Sequence, residues 1–237
     1  MVVKSPPLLC ELHAHTTWSD GALSLRELVD LHGRAGFDVL AVTDHTVRCD
    51  LEGARHVHAG AWQHYFVAIE EEAERARALY GLLVLPGLEL TYGDPDPLRA
   101  AHAVAVGLRT YVAVDDGLEH ALAAARGHGA ALVAAHPNHP DRLGTAHGRT
   151  ARFAAEWREL RGAVDRFELI NRHEVFGWVA EAGLPTVATG DVHRPEHLAT
   201  WKTMLPCAKD EEAVVAYLRS PRPAYLVRVD QPLRAAA

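Results

Sequence analysis

The amino-acid sequence predicts an α/β protein, a closed or nearly closed barrel of seven βα units with its site at the C-terminal ends of the strands. Three observations carry this expectation. Short apolar runs alternate with amphipathic stretches about seven times along the chain, which implies parallel strands joined by right-handed crossovers. The apolar runs are nearly continuous, as in strands buried on both faces. Polar, metal-ligating residues recur at the ends of these runs, where parallel barrels build their active sites. An open doubly wound sheet is the alternative, and the absence of G-x-G-x-x-G after the first strand argues against a dinucleotide-binding version of it.

Each element follows from local pattern. PLLCELHAH (7–15) reads as the first strand, and SLRELVDLHGRAG (24–36) as a helix that Ser24 and Glu27 open with a capping box. FDVLAVTDH is a buried strand with a polar end, and a long helix is expected within 54–80. LLVLPGLEL is the third strand and AHAVAVGL (101–108) the fourth. A helix over 115–128 leads to AALVAAHP (130–137), the fifth strand. TARFAAEWRELRG reads as a helix, DRFELIN (165–171) as the sixth strand, EVFGWVAEAG as a helix and LPTVATGDVH (184–193) as the seventh strand. WKTML, a helix over 209–219 and PAYLVRV complete the chain.

Composition narrows the function classes. No apolar run reaches the roughly 18–20 residues that cross a bilayer, and MVVKSPPLLC lacks the apolar core of a signal peptide. Cys10, Cys49 and Cys207 are odd in number and form no C-x-x-C, which fits a reducing, cytoplasmic setting. A net charge of −7 argues against a dedicated binder of long nucleic acid. The 16 histidines are the unusual count.

Those histidines fall in order along the strand ends. His13 and His15 close the first strand, with Asp20 just beyond; Thr43, Asp44 and His45 close the second; Glu89 closes the third. His102 lies near the start of the fourth, His136 at the end of the fifth, and Asp191 and His193 at the end of the seventh. Residues i and i+2 of a strand point to one side, so His13/His15 and Asp191/His193 can each send two side chains into one space. Such a cluster, desolvated and unpaired, is untenable without cations. Imidazole and carboxylate suit Zn, Mn or Fe, and the absence of thiolate from the set argues against a Cys-type structural zinc site. Nine ligands are too many for one ion, so two or three ions sharing carboxylates are expected. His32, His56, His58, His64, His120 and His128 fall in or beside expected helices and read as surface or packing residues.

HAHTTWSDG, TDH, GLE, HAVAVG, AHP and GDVH, in this order, resemble the PHP (polymerase and histidinol phosphatase) family over roughly residues 8–205. The resemblance implies a single PHP-type domain over 1–237, a distorted (β/α)7 TIM-like barrel, and phosphoester hydrolysis at a two- or three-metal centre. It implies one ion on His13, His15, Glu89 and Asp191, a second on Glu89, His102 and His136, and a third on Asp20, His45 and His193. Asp20, where some members carry His, resembles the small-molecule phosphoesterase branch. That branch often has a large insertion, but only residues 103–135 separate His102 from His136 here.

The chemistry expected is attack by a metal-bound hydroxide, held by Glu89 and Asp191, on a phosphomonoester or phosphodiester. His139 and His173 are candidate proton donors. Arg194, Arg172, Arg142 and Arg149 are candidate phosphate contacts. Ser19 reads as a turn residue, since WSDG lacks the nucleophile-elbow form. A small phosphorylated substrate is the expected partner. An exonuclease-like phosphodiesterase for short oligonucleotides, a metal-dependent C–N hydrolase and a non-catalytic metal scaffold are the alternatives, because fold and metals alone do not choose a substrate.

Overall fold

The computed structural model describes residues 6–48, 55–140 and 150–230. In chain order the elements are β1 (Leu8–Glu11), α1 (Leu25–Arg34), β2 (Val39–Val42), β3 (His45–Val47), α2 (Trp62–Tyr80), β4 (Leu83–Tyr92) and β5 (Ala101–Val106). Then come α3 (Leu118–Gly127), β6 (Ala131–Ala135), the short helices α4 (Arg152–Ala155) and α5 (Trp157–Leu160), and β7 (Arg166–Asn171). β8 (Glu174–Val175), α6 (Gly177–Glu181), β9 (Thr186–Thr189), β10 (Trp201–Leu205), α7 (Glu211–Arg219) and β11 (Tyr225–Arg228) complete the order.

The strands form one mixed sheet curled into a half-barrel, not the expected (β/α)7 TIM-like barrel. Its order is β11-β10-β1-β2-β4-β5-β6-β7-β8, with β3 on β4 and β9 on β7. Pairs β1/β2, β2/β4, β3/β4, β6/β7 and β7/β9 are parallel, whereas β4/β5, β5/β6, β1/β10, β10/β11 and β7/β8 are antiparallel. The physical reason lies in connection length. A parallel crossover needs a dozen or more residues, and only residues 93–100 join β4 to β5, so the chain must turn back. Between β9 and β10 there is only one turn of 3-10 helix, Pro195–Leu198. Among the described residues only α1, α2, α3 and α7 run to nine residues or more.

Both faces of the sheet are covered. On one face Leu40, Val42, Val84, Leu88, Ala103 and Leu132 pack against α1, α2 and α3. On the other, Leu85, Val104, Val106 and Val133 meet Val214, Tyr217 and Leu218 of α7. α1 forms where expected: the Ser24 hydroxyl accepts from Glu27 N and Glu27 accepts from Ser24 N at 2.8 Å. Its buried positions Leu25, Leu28, Val29 and His32 follow the helical repeat.

Beyond its last paired strands the sheet is drawn together at a seam. Ala14 and Val192 form a parallel bridge, and His15 N donates to Val192 O at 2.8 Å. Thr203 on β10 exchanges two hydrogen bonds with Ala188 on β9. This seam places the residues after β1 beside those after β9. No helix among the described residues is long and apolar enough to cross a membrane.

Candidate metal centre

The half-barrel brings all nine expected ligand residues to one end. His13 and His15 follow β1, Asp20 lies in the next turn, and His45 opens β3, where it pairs in register with Glu89 on β4. His102 sits at the start of β5. A parallel strand would hold its start at the opposite end of the barrel; an antiparallel one brings it to the site. His102 pairs with Thr91 on one side and with Ala135, the residue before His136, on the other.

Glu89 is the centre of the arrangement. Its Oε2 lies 3.2 Å from His13 Nε2, 3.4 Å from His15 Nε2 and 2.9 Å from His45 Nδ1. Its Oε1 lies 3.1 Å from both His102 Nδ1 and His136 Nε2. Asp191 Oδ1 lies 3.6 Å from His13 Nε2, 3.4 Å from His15 Nε2 and 3.2 Å from His193 Nδ1. Asp20 Oδ1 lies 3.2 Å from His193 Nε2 and 3.5 Å from His45 Nε2.

Three groups of ligand atoms are each compact enough to surround a cation: His15, Asp20, His45 and His193; His13, Glu89 and His136; and His13, His15 and Asp191. The donors fit such an ion. His13 Nε2, His15 Nε2 and Glu89 Oε2 are buried and lack a hydrogen bond of acceptable geometry, the condition that a bound cation relieves. Burial alone would raise the Glu89 carboxyl, but His45, His13 and His102 hold it well below the ordinary range. Asp191 behaves likewise: burial opposes its charge, and His13, His15 and His193 more than offset it. Burial would lower His45 and His193, yet the surrounding carboxylates lift them to about 10 and about 9. His15, buried beside His45, falls to about 3. Protons on histidine thus supply positive charge that divalent ions could supply instead.

Backbone geometry aims two of these ligands. His136 (φ 29°) and Asp191 (φ 43°) adopt left-handed conformations just past their strands, as does Arg172 (φ 53°) after β7. Such conformations cost on the order of 1–3 kcal/mol each for a non-glycine residue and cluster at functional sites. Hydrogen bonds to distant segments hold two of them: Arg172 N donates to Thr189 O at 2.9 Å and His136 N to Glu168 Oε2 at 2.6 Å.

Residues 11–166 match the PHP domain family. The chain belongs to the PHP domain family. It is 33% identical over 87 residues to the DNA polymerase/3'-5' exonuclease PolX of Bacillus subtilis (strain 168), which covers 35% of this chain and 15% of that protein. A two-domain protein of Bacteroides vulgatus ATCC 8482, containing a predicted PHP-like metal-dependent phosphoesterase, superposes with a TM-score of 0.68 at 20% identity. That match covers 93% of this chain and 64% of the other. A candidate metal-dependent phosphoesterase of Bifidobacterium adolescentis ATCC 15703 superposes with a TM-score of 0.53 at 18% identity, covering 81% of this chain and 90% of that one. The PHP chain therefore spans under two thirds of the first two of these proteins.

The PHP site opens into a cavity of about 750 Å³ that Asp20, His45, Glu89, His102, His136, Arg172, Asp191 and His193 help to line. Arg172 Nη2 contacts Asp191 Oδ2 at 3.0 Å and His193 Nδ1 at 3.0 Å. Arg194 and His173 are exposed and do not line this cavity. His139 lines a separate hollow with Phe176 and Trp178. Arg142 and Arg149 lie outside the described residues. Ser19 acts within the turn: its hydroxyl donates to Asp44 at 2.5 Å, and Thr16 N and Oγ1 bind the same carboxylate at 2.8 Å.

Two buried carboxylates escape the sequence reading. Glu11, between Cys10 and Leu12, accepts from His13 N at 3.1 Å and from Gly190 N, and meets buried Lys202 at 2.6 Å. Glu168, in the middle of RFELIN, accepts from His13 Nδ1 at 2.9 Å. An acid flanked by apolar residues within a strand is the signal that would have found both, since a buried charge needs partners.

Proposed function

We propose that this PHP chain is a metal-dependent hydrolase of phosphoesters acting on a small phosphorylated substrate. The observation that carries the reading is Glu89: one buried carboxylate facing five histidines, open to a cavity. In this reading His13, His15, Glu89 and Asp191 hold one ion, Glu89, His102 and His136 a second, and Asp20, His45 and His193 a third. Divalent ions there would activate a water and polarise a phosphoryl oxygen.

The chain's own residues supply the rest. Glu89 and Asp191 keep their charge despite burial and so hold cations close together. Arg172, on the cavity wall, adds a fixed guanidinium suited to a phosphate oxygen. Its bonds to Asp191 O, at 2.9–3.1 Å, fix the guanidinium's position. The cavity volume, within the range of small-molecule sites, suits a substrate of sugar phosphate or nucleotide size.

A second reading, a phosphodiesterase on short oligonucleotide ends, is favoured by the similarity to a polymerase/exonuclease. Elemental analysis followed by phosphate release from sugar phosphates, nucleotides, histidinol phosphate and short oligonucleotides tests both. Metal-dependent release from monoesters is expected; mononucleotide release from oligonucleotides alone would favour the second reading. No hydrolysis of any ester by zinc- or manganese-loaded protein would sink both.

A further inference from the structure

Glu168 is fully buried on β7, and none of the three compact groups of candidate ligand atoms includes it. Each of its oxygens is doubly engaged. Oε1 accepts from His13 Nδ1 at 2.9 Å and from Thr189 Oγ1 at 2.6 Å. Oε2 accepts from the backbone N of His136 at 2.6 Å and from Asn171 Nδ2 at 2.8 Å. With four donors aimed at it, this carboxylate is saturated by protein groups alone.

The consequence for His13 follows from the tautomer. A carboxylate can only accept, so the proton of that bond sits on His13 Nδ1. Nε2 is then left to face Glu89 Oε2 at 3.2 Å and Asp191 Oδ1 at 3.6 Å. As a neutral ring, His13 would set a lone pair against two acceptors, an arrangement that needs a cation between them. The second oxygen acts on His136, whose backbone is left-handed at φ 29° and whose Nε2 meets Glu89 Oε1. One carboxylate thus sets the ring of one expected ligand and the backbone of another, just past β1 and β6, two strands that do not pair with each other.

We infer that Glu168 is the positioning residue of this centre, holding His13 with Nε2 directed inward and His136 in its strained conformation, without itself binding metal. This rests on the metal-centre reading above. Glutamine at 168 cannot satisfy the same four donors. If its amide nitrogen faces His13 and Thr189, His13 must accept there and place a proton on Nε2. If the nitrogen faces His136 N, two donors collide.

Two measurements test it. Zinc affinity of Glu168→Gln, by chelator competition, is expected to fall roughly 10–100-fold, with metal-free thermal unfolding still cooperative. Unchanged affinity and stoichiometry would overturn the inference. Nitrogen-15 NMR of the histidine rings in the wild-type protein needs no variant, so it decides the matter if Glu168→Gln does not fold. His13 Nδ1 is expected to carry a proton in both metal-free and zinc-loaded protein, and an unprotonated Nδ1 in either state overturns the role. Wild-type protein that binds no zinc or manganese would instead refute the metal centre, with the Nδ1 result still judging Glu168's hold on His13.

Discussion

At the scale of the residue, the site concentrates its consequences in Asp191. This carboxylate meets three histidines and Arg172, and its backbone is left-handed. Asp191→Asn keeps the shape and removes the charge. Phosphoester turnover is expected to fall by more than about a hundredfold, beyond the usual loss from removing a group that only orients a ligand. Unfolding should stay cooperative, because the lesion is confined to the open end of the half-barrel. Near-normal turnover in this variant would refute the ligand assignment. Gly190, just before it, shows how tight the packing beneath is: a Cβ there would strike Lys202 Nζ and Glu11 Oε2. Gly190→Ala should therefore cost about 1–3 kcal/mol in denaturant unfolding, as overpacking does.

At the scale of the element, the antiparallel pair β1/β10 carries a charge pair with no access to water. Lys202 and Glu11 are both fully buried, and Lys202 also donates to His197 O and Thr200 Oγ1. Lys202→Met would leave the Glu11 carboxylate without its cation. A loss of about 3–5 kcal/mol is expected, read from chemical denaturation, since removing one partner strands the other charge. The helix end of α1 offers a gentler test. Ser24→Ala should cost about 1 kcal/mol; no change would mean that tertiary packing alone holds that helix end. The capping box is legible in the sequence because it is local, with all its partners inside one turn. The sense of β5 is not: its composition suits either direction, and the short connection from β4 decides it.

At the scale of the whole molecule, stability should depend on pH through a histidine that does not line the cavity. His32 is fully buried on α1; burial drives its pKa down from 6.5 to about 4, although Glu11 opposes this. Its ring Nδ1 donates to Leu28 O at 2.9 Å and Nε2 has no hydrogen-bond partner. The folded state therefore keeps it neutral where the unfolded chain would bind a proton. The stability from neutral His32 is present above about pH 6.5 and lost as pH falls towards 4, a total of about 3 kcal/mol. The difference in unfolding free energy between wild type and His32→Leu, measured from pH 7 to pH 4, should shift by that amount against the wild type. A flat difference would show that the ring is hydrated.

The sequence by itself determined the nine clustered side chains and the family, because ligand type and i, i+2 spacing are local properties of HAH, TDH and GDVH. It also marked most strands and the long helices, whose periodicities are local too. Only the tertiary structure decided that the barrel is a half-barrel with antiparallel strands, that His102 enters from the start of its strand, and that Glu168 and Glu11 stand behind the ligands. Those facts depend on register between distant segments, such as His102 against Thr91 and Ala135. They depend as well on hydrogen bonds such as that of His13 to Glu168, 155 residues away. Hydrophobic pattern reports which residues are buried; which buried partners meet is set by how the strands pair.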